Sequence, residues 1–198
     1  VTAADGAVYS GSSVDDSVRR LDAASGRVTW TFTTDGPVRI APTISGGRVY
    51  FGSDDGFAWC LDARSGKLIW KFAPTAPGQL ILNNGRFIPV SPCRTGVMVD
   101  GGTAYFGCAL LPWKPAWLCA LDATTGKPTG PGRFVHQLKG HTLEAPPAAS
   151  SKLLIFPRGR VPPQVFRRTD GADLGSLKKS GGGSVVVVAL DSRIFHGP

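Results

Sequence analysis

The sequence predicts an all-β fold, arranged as part of a β-propeller of four-stranded antiparallel blades. Three observations carry that expectation. A segment of roughly 40 residues recurs along the chain, the period of a propeller blade. Each copy consists of short β-rich runs separated by Gly-containing turn signals. No stretch sustains the 3.6-residue apolar period of a helix, so no helix longer than about three turns is expected.

The first copy reads DGAVYSGSSVDDSVRRLDAASGRVTWTF, residues 5 to 32. The second reads GRVYFGSDDGFAWCLDARSGKLIWKF, residues 47 to 72, and shows the unit most clearly. Arg48 to Ser53, Phe57 to Ala63 and Leu68 to Phe72 read as strands. Asp54-Asp55-Gly56 and Arg64-Ser65-Gly66-Lys67 read as the turns between them. Arg39 to Ile44 supplies a fourth strand through the Ser45-Gly46-Gly47 turn. Between the two copies Tyr9 matches Tyr50, Leu21-Asp22 matches Leu61-Asp62, Gly26 matches Gly66 and Trp30 matches Trp70. The third copy reads GGTAYFGC and then LCALDATTGK, residues 101 to 127, with Gly130 where the tryptophan would stand. The fourth, residues 152 to 175, is degraded: Gly171 matches Gly66, Arg167 replaces the aspartate and Gly175 replaces the tryptophan. SVVVVALDSRIFHG looks like the first hairpin of a fifth. The repeats are placed at 1–36, 37–88, 89–143 and 144–183, with a partial one at 184–198, in one segment spanning 1–198. Because the chain begins and ends inside repeats, it is expected to be an internal piece of a longer propeller.

Each repeated residue has a physical role. Gly26, Gly66, Gly126 and Gly171 permit the turn between the third and fourth strands. Asp22, Asp62 and Asp122 can accept that turn's N–H groups. Trp30 and Trp70, on the outer strand, are large flat surfaces able to dock on a neighbouring blade, their indole N–H needing an acceptor. All of these roles are structural. With Gly175 at the aromatic position, the fourth blade is expected to be the weakest.

Two insertions break the pattern. Residues 73 to 88 lengthen the link between the second and third blades, with a turn signal at Asn83-Asn84-Gly85. Residues 109 to 117 interrupt the third blade, and Trp113 and Trp117 with Pro112 and Pro115 make a stiff apolar loop. One reading makes that loop a binding lip; the other folds it on its own blade.

Chemistry is otherwise sparse. His136, His141 and His196 are not at ligand spacing, and Glu144 is the only Glu, which excludes paired-Glu acid–base work within these residues. The turn aspartates Asp15-Asp16 and Asp54-Asp55 need no catalytic role. Net charge is +8, and the basic segment 157 to 168 and Lys178-Lys179 could face an acidic partner. No stacking aromatics are interleaved with these cations, which argues against nucleic acid. No apolar run is long enough to span a bilayer. Of the cysteines, Cys60, Cys93, Cys108 and Cys119, none forms a Cys-x-x-Cys pair. A two-residue turn at Asp100-Gly101 would pair residues whose numbers sum to 201, setting Cys93 opposite Cys108 within reach of a disulfide. A three-residue loop through Gly102 would shift that register and separate them. The other reading is two buried thiols acting as small hydrophobes.

Ala120-Leu121-Asp122-Ala123-Thr124-Thr125-Gly126-Lys127 and Leu61-Asp62-Ala63-Arg64-Ser65-Gly66-Lys67-Leu68-Ile69-Trp70 follow the pattern Ala-x-Asp-x-x-Thr-Gly-Lys-x-x-Trp. Leu21 to Trp30 does so with Arg27 for Lys. In this the chain resembles the pyrroloquinoline-quinone (PQQ) repeat propellers of bacteria. The resemblance implies one of two functions. One is a non-catalytic binding or assembly scaffold of the envelope, periplasmic, with a protein or envelope component as partner and further chain completing the ring. The other is a segment of a PQQ-dependent alcohol or sugar dehydrogenase, in which PQQ and calcium sit at the ring centre beneath a vicinal disulfide. This sequence has no Cys-Cys pair and no recognisable Asp-base or calcium pattern, so it assigns no catalytic, cofactor or metal residue, and the scaffold reading is preferred.

Overall fold

The computed structural model describes residues 1–76, 78–177 and 181–197. Lys178 and Lys179 lie outside the described residues. Every regular element among those described is a β-strand, and the chain is a partial β-propeller. The first blade holds β1 (Thr2–Ala4), β2 (Ala7–Ser12), β3 (Ser17–Asp22) and β4 (Val28–Thr33). The second holds β5 (Thr43–Ser45), β6 (Arg48–Gly52), β7 (Ala58–Asp62) and β8 (Leu68–Phe72). A separate hairpin follows, β9 (Leu80–Asn83) and β10 (Arg86–Pro89). The third blade is β11 (Met98–Asp100), β12 (Thr103–Cys108), β13 (Ala116–Asp122) and β14 (Phe134–Leu138). The fourth is β15 (Ala148–Ala149), β16 (Leu153–Arg158), β17 (Val161–Arg167) and β18 (Asp173–Ser176). A last hairpin pairs β19 (Val185–Ala189) with β20 (Arg193–Gly197). Each blade is an antiparallel meander in chain order.

The inner hairpins share one turn chemistry. Their two loop residues, Asp5-Gly6, Gly46-Gly47 and Gly101-Gly102, all take positive φ, as a type I′ turn requires. In the third blade this places the turn one residue later than Asp100-Gly101. Asp100 pairs with Thr103, and partners sum to 203 rather than 201. Two consecutive glycines accept the left-handed conformation more easily than Asp-Gly does. The strand expected over Arg39 to Ile44 shrinks to Thr43–Ser45. Pro42 offers no N–H to a ladder, and Arg39 is drawn instead to Asp54. The Pro-rich segment 157 to 168 supplies the last two residues of β16 and all of β17, with a bulge at Pro157 between the Phe156 and Arg158 pairings.

Cores lie in the seams between successive blades. Tyr9 and Val18 pack with Val49, Phe51 and Leu61 in the first seam. Tyr50, Cys60 and Trp70 pack with Phe106, Cys119 and Leu121 in the second. Tyr105, Leu118 and Phe134 pack with Leu154, Phe156 and Phe166 in the third.

The seams are built from one repeated contact. The Trp30 indole N–H donates to the Ala63 carbonyl at 3.1 Å, and that of Trp70 to Ala123 at 3.0 Å. Each ring lies flat on the turn glycine of the next blade. A Cβ on Gly66 would sit 2.8 Å from the Trp30 ring, and one on Gly126 would sit 2.6 Å from the Trp70 ring. The third blade has no tryptophan on its outer strand, yet the contact survives. Phe134 and His136 stack on one another, and a Cβ on Gly171 would meet Phe134 at 2.6 Å. Gly130 faces open space, so position 134, not 130, carries the docking ring. In the fourth blade every residue of β18 is exposed.

A second set of glycines serves the inner side. Gly11, Gly52 and Gly107 end the second strand of three successive blades, where the incoming linker crosses. An added Cβ would strike Val38, Cys93 and Leu143 respectively, at 2.7 Å for Gly11 and 2.5 Å for Gly107.

The turn aspartates hold their own loops. Asp22 accepts from the Ser25 hydroxyl and amide, Asp62 from Ser65 likewise, and Asp122 from the Thr125 amide and hydroxyl. These bonds, to the Ser25 and Ser65 hydroxyls first and to the Thr125 amide first, hold all three carboxyls below the ordinary aspartate value of 3.8. A carboxyl whose pKa is lowered by folding stabilises the fold above its unfolded value and loses that contribution as pH falls. The melting temperature is therefore expected to drop as pH falls through 3.8 and below. An Asp62→Asn variant, which keeps an acceptor but not the charge, should show a shallower drop in melts followed by circular dichroism.

Candidate functional site

The two insertions meet on the face that carries the β2–β3, β6–β7 and β12–β13 turns. Asn84-Gly85, both at positive φ, closes the β9–β10 hairpin, so residues 73 to 88 are an added two-stranded element and not simply a longer link. Two polar contacts tie this element to the loop before β13. Lys114 Nζ donates to Gln79 Oε1 at 2.8 Å, and the Ser91 hydroxyl donates to the Pro115 carbonyl at 2.6 Å. The other end of the hairpin is anchored by Arg86, which reaches Asp16 in the first blade.

Between the insertions lies a cavity of about 150 Å³. Phe57, Leu80, Pro89, Pro115 and Trp117 give it a largely apolar wall, and Asp55 adds a carboxylate. Burial pushes the Asp55 carboxyl above the ordinary aspartate value, even though it accepts from the Phe57 amide and the Trp59 indole. The Trp117 indole N–H is buried without an acceptor.

The two tryptophans of the expected lip separate. Trp117 lines the cavity, while Trp113 stands 74 % exposed over an adjoining groove with Pro112, Lys114 and Leu138. Leu82 and Phe87 on the hairpin are likewise exposed, at 66 % and 73 %. Leu82 and Phe87 pair across the hairpin on the face that also carries Leu80 and Pro89 of the cavity wall, and Trp113 lines the groove that shares Pro115 with the cavity, so both insertions contribute to an apolar rim. Exposed apolar side chains continuous with an apolar hollow mark an interaction surface.

Beside this rim sits a charged cluster formed by residues distant in the sequence. Asp54, 1 % exposed, accepts from both Arg39 and Arg94. Arg39 comes from the linker into the second blade, Arg94 from the linker into the third, and Asp54 from the turn between them. Glu144 occupies the corresponding place in the linker into the fourth. Sequence reading treated Asp54 only as a turn residue. The signal that could have revealed this arrangement was the repeated Tyr9-Ser10-Gly11, Tyr50-Phe51-Gly52 and Tyr105-Phe106-Gly107, which marks where each linker crosses a strand.

The remaining expected residues are placed as follows. Trp30, Trp70, Gly26, Gly66, Gly126 and Gly171, with Asp22, Asp62 and Asp122, lie in the outer seams and turns, away from the cavity. Cys93, on the linker into the third blade, and Cys108, at the end of β12, are both buried in the second seam. Within the basic segment 157 to 168, Arg158 bonds Gln164, Arg167 pairs with Asp170, and Arg168 reaches Asp100 and Tyr105. Among the described residues no three His, Cys, Asp or Glu side chains gather as metal ligands, and no helix is long and apolar enough to cross a membrane.

Comparison with known proteins agrees with this architecture. The sequence model of the family described as outer membrane protein assembly factor BamB matches residues 1–133. No curated protein sequence matches the chain at a significant level. Among solved structures, the quinohemoprotein alcohol dehydrogenase from Comamonas testosteroni superposes with a TM-score of 0.67 at 16% identity, over 92% of this chain and 35% of that one. The quinohemoprotein alcohol dehydrogenase ADHIIG from Pseudomonas putida HK5 gives 0.66 at 16% identity, over 98% and 37%. The computationally designed Ika8 protein gives 0.65 at 14% identity, over 95% and 51%. The chain thus spans about half or less of each of these structures.

Proposed function

The chain belongs to the PQQ-repeat family described as outer membrane protein assembly factor BamB, and on that premise we propose that it is a non-catalytic propeller acting as a protein-binding scaffold in the bacterial envelope, on the periplasmic side. The observation that carries this reading is the apolar rim that the two insertions form around the cavity at Trp117. Exposing Trp113, Leu82 and Phe87 to water is costly unless a partner covers them. An extended peptide segment suits the site. Its apolar side chain would enter the hollow, against Phe57, Leu80, Pro89 and Trp117.

The alternative, a segment of a PQQ-dependent dehydrogenase, rests on the fold likeness to the two quinohemoprotein alcohol dehydrogenases. The residues present do not fit PQQ with calcium. Asp54, the most deeply buried carboxylate described, already accepts from two arginines, whose charges oppose a cation beside it.

Two titrations on one sample test the reading. Extended peptides of alternating apolar and polar residues are expected to change tryptophan fluorescence saturably, and a Leu82→Ser/Phe87→Ser variant is expected to abolish the change. PQQ with Ca²⁺ is expected to give no saturable binding at micromolar concentration. Saturable PQQ binding would overturn the scaffold reading, and peptide binding that the double variant leaves intact would remove the rim from it.

A further inference from the structure

All four cysteines lie in one place, the seam between the second and third blades. Cys60 comes from β7, Cys108 from β12, Cys119 from β13, and Cys93 from the linker that enters the third blade. They are buried, at 1% exposure or less. Among them Cys93 and Cys108 are neighbours, each thiol shifting the other's pKa, and the Cys108 thiol donates to the Gly56 carbonyl at 4.0 Å.

The backbone independently sets this pair face to face. The β11–β12 ladder, with its Gly101-Gly102 turn, would by itself place Cys108 opposite residue 95. The linker does not keep that register. The Thr95 hydroxyl accepts from the Gly107 amide at 2.9 Å, which absorbs part of the offset. Beyond it the Ala109 amide donates to the Pro92 carbonyl at 3.1 Å. That single bond sets residues 93 and 108 next to each other on facing segments. Cys93 is further fixed from behind, because its amide donates to the Ser53 carbonyl at 3.0 Å and its own carbonyl packs on Gly52.

We propose that Cys93 and Cys108 are a disulfide site, closed by a small-molecule disulfide or a thiol–disulfide oxidoreductase while the chain folds. One cysteine, as thiolate, attacks the oxidant's S–S bond and forms a mixed disulfide, releasing one oxidant thiol. The second cysteine, as thiolate, then displaces the other oxidant sulfur. Two protons and two electrons leave the protein, and the oxidant's disulfide is reduced to two thiols. The bond would fasten the linker from the second blade onto β12 of the third, across the seam that also holds Trp70. Timing follows from burial. In the finished fold all three thiols of the inner group, Cys93, Cys108 and Cys119, have their pKa raised and are shielded, so exchange there is slow. Closure therefore belongs to folding and precedes burial of the seam. Cys60 and Cys119 remain thiols.

The test compares the chain refolded with oxidised glutathione and the chain refolded under reductant. After oxidative refolding, alkylation in denaturant is expected to count two free thiols in place of four, and peptide mapping is expected to join the segments carrying residues 93 and 108. Reduction should then lower the melting temperature. A Cys60→Ala/Cys119→Ala variant should still form the link and retain no free thiol. A Cys108→Ala variant should keep all three of its thiols free; should it not fold, mapping of the unaltered chain decides alone. Four free thiols after oxidative refolding, or a link joining any other pair, would overturn the proposal. Either result leaves the scaffold reading untouched, because the cavity does not involve these sulfurs.

Discussion

Trp70→Ala is expected to destabilise the protein by about 3–5 kcal/mol, the range for removing a large aromatic from a packed interior. Trp70 is 7% exposed, its indole bonds Ala123 of the next blade, and its ring covers Gly126. Truncation therefore empties the seam and also strands the Ala123 carbonyl, leaving it only the Tyr50 hydroxyl at 3.1 Å. Urea titration gives the measure. A loss below about 1 kcal/mol would mean that the ring is not the seam's anchor. Trp30→Ala should cost less, because Trp30 is only half-buried. A cycle with Gly126→Ala separates packing from backbone. The added methyl clashes with the Trp70 ring, so it should harm the intact protein more than the Trp70→Ala protein.

Asp54→Ala is expected to cost about 3 kcal/mol, the lower end for breaking a buried ion pair. The carboxylate is buried and receives both Arg39 and Arg94, so its removal leaves two guanidiniums without their shared counter-charge. Both arginine side chains retain some solvent, 34% and 18%, which moderates the loss. Asp54→Asn should fall between wild type and alanine, since an amide oxygen can still accept from one arginine. Equal stability of the alanine variant and the wild type in urea would show that the cluster holds nothing together.

What the sequence made legible was whatever recurs at a fixed interval. Gly66 and Trp70 could be read because the same contact is built again at each seam, so the same residues return one blade later. The Arg39–Asp54–Arg94 cluster could not be read this way. Its members sit 15 and 40 positions apart, belong to two linkers and a turn, and occur once. The third blade shows the limit from the other side. Gly130 stands where the motif expects a ring, yet Phe134 reaches the same glycine socket, because the socket constrains a ring's location in space and not its number in the chain. The hairpin turn illustrates a third case. Asp100, Gly101 and Gly102 offer two adjacent loops, and only the demand for two consecutive left-handed residues selects the later one. As for the cavity, each insertion could be seen in the sequence, but their contact through Lys114 and Gln79 joins positions 35 apart for which no spacing rule exists.

The tryptophan-on-glycine contact has a direction. The first three blades reach forward with a ring from the fourth strand, and the second, third and fourth receive, on their third turn, a ring from the blade before. Taking a blade from the start of the array uncovers an empty glycine hollow beside the apolar face that Val49, Phe51 and Leu61 present. Taking one from the end uncovers an aromatic face, which water does not tolerate and which another molecule's hollow would fit. Shortening such a chain from its two ends is thus not symmetrical. Trimming the front leaves a remnant with an empty socket, whereas trimming behind the second blade bares Trp70 and leaves a remnant with a plug. The array is polar in the sense that a filament is polar, with a socket at one end and a plug at the other.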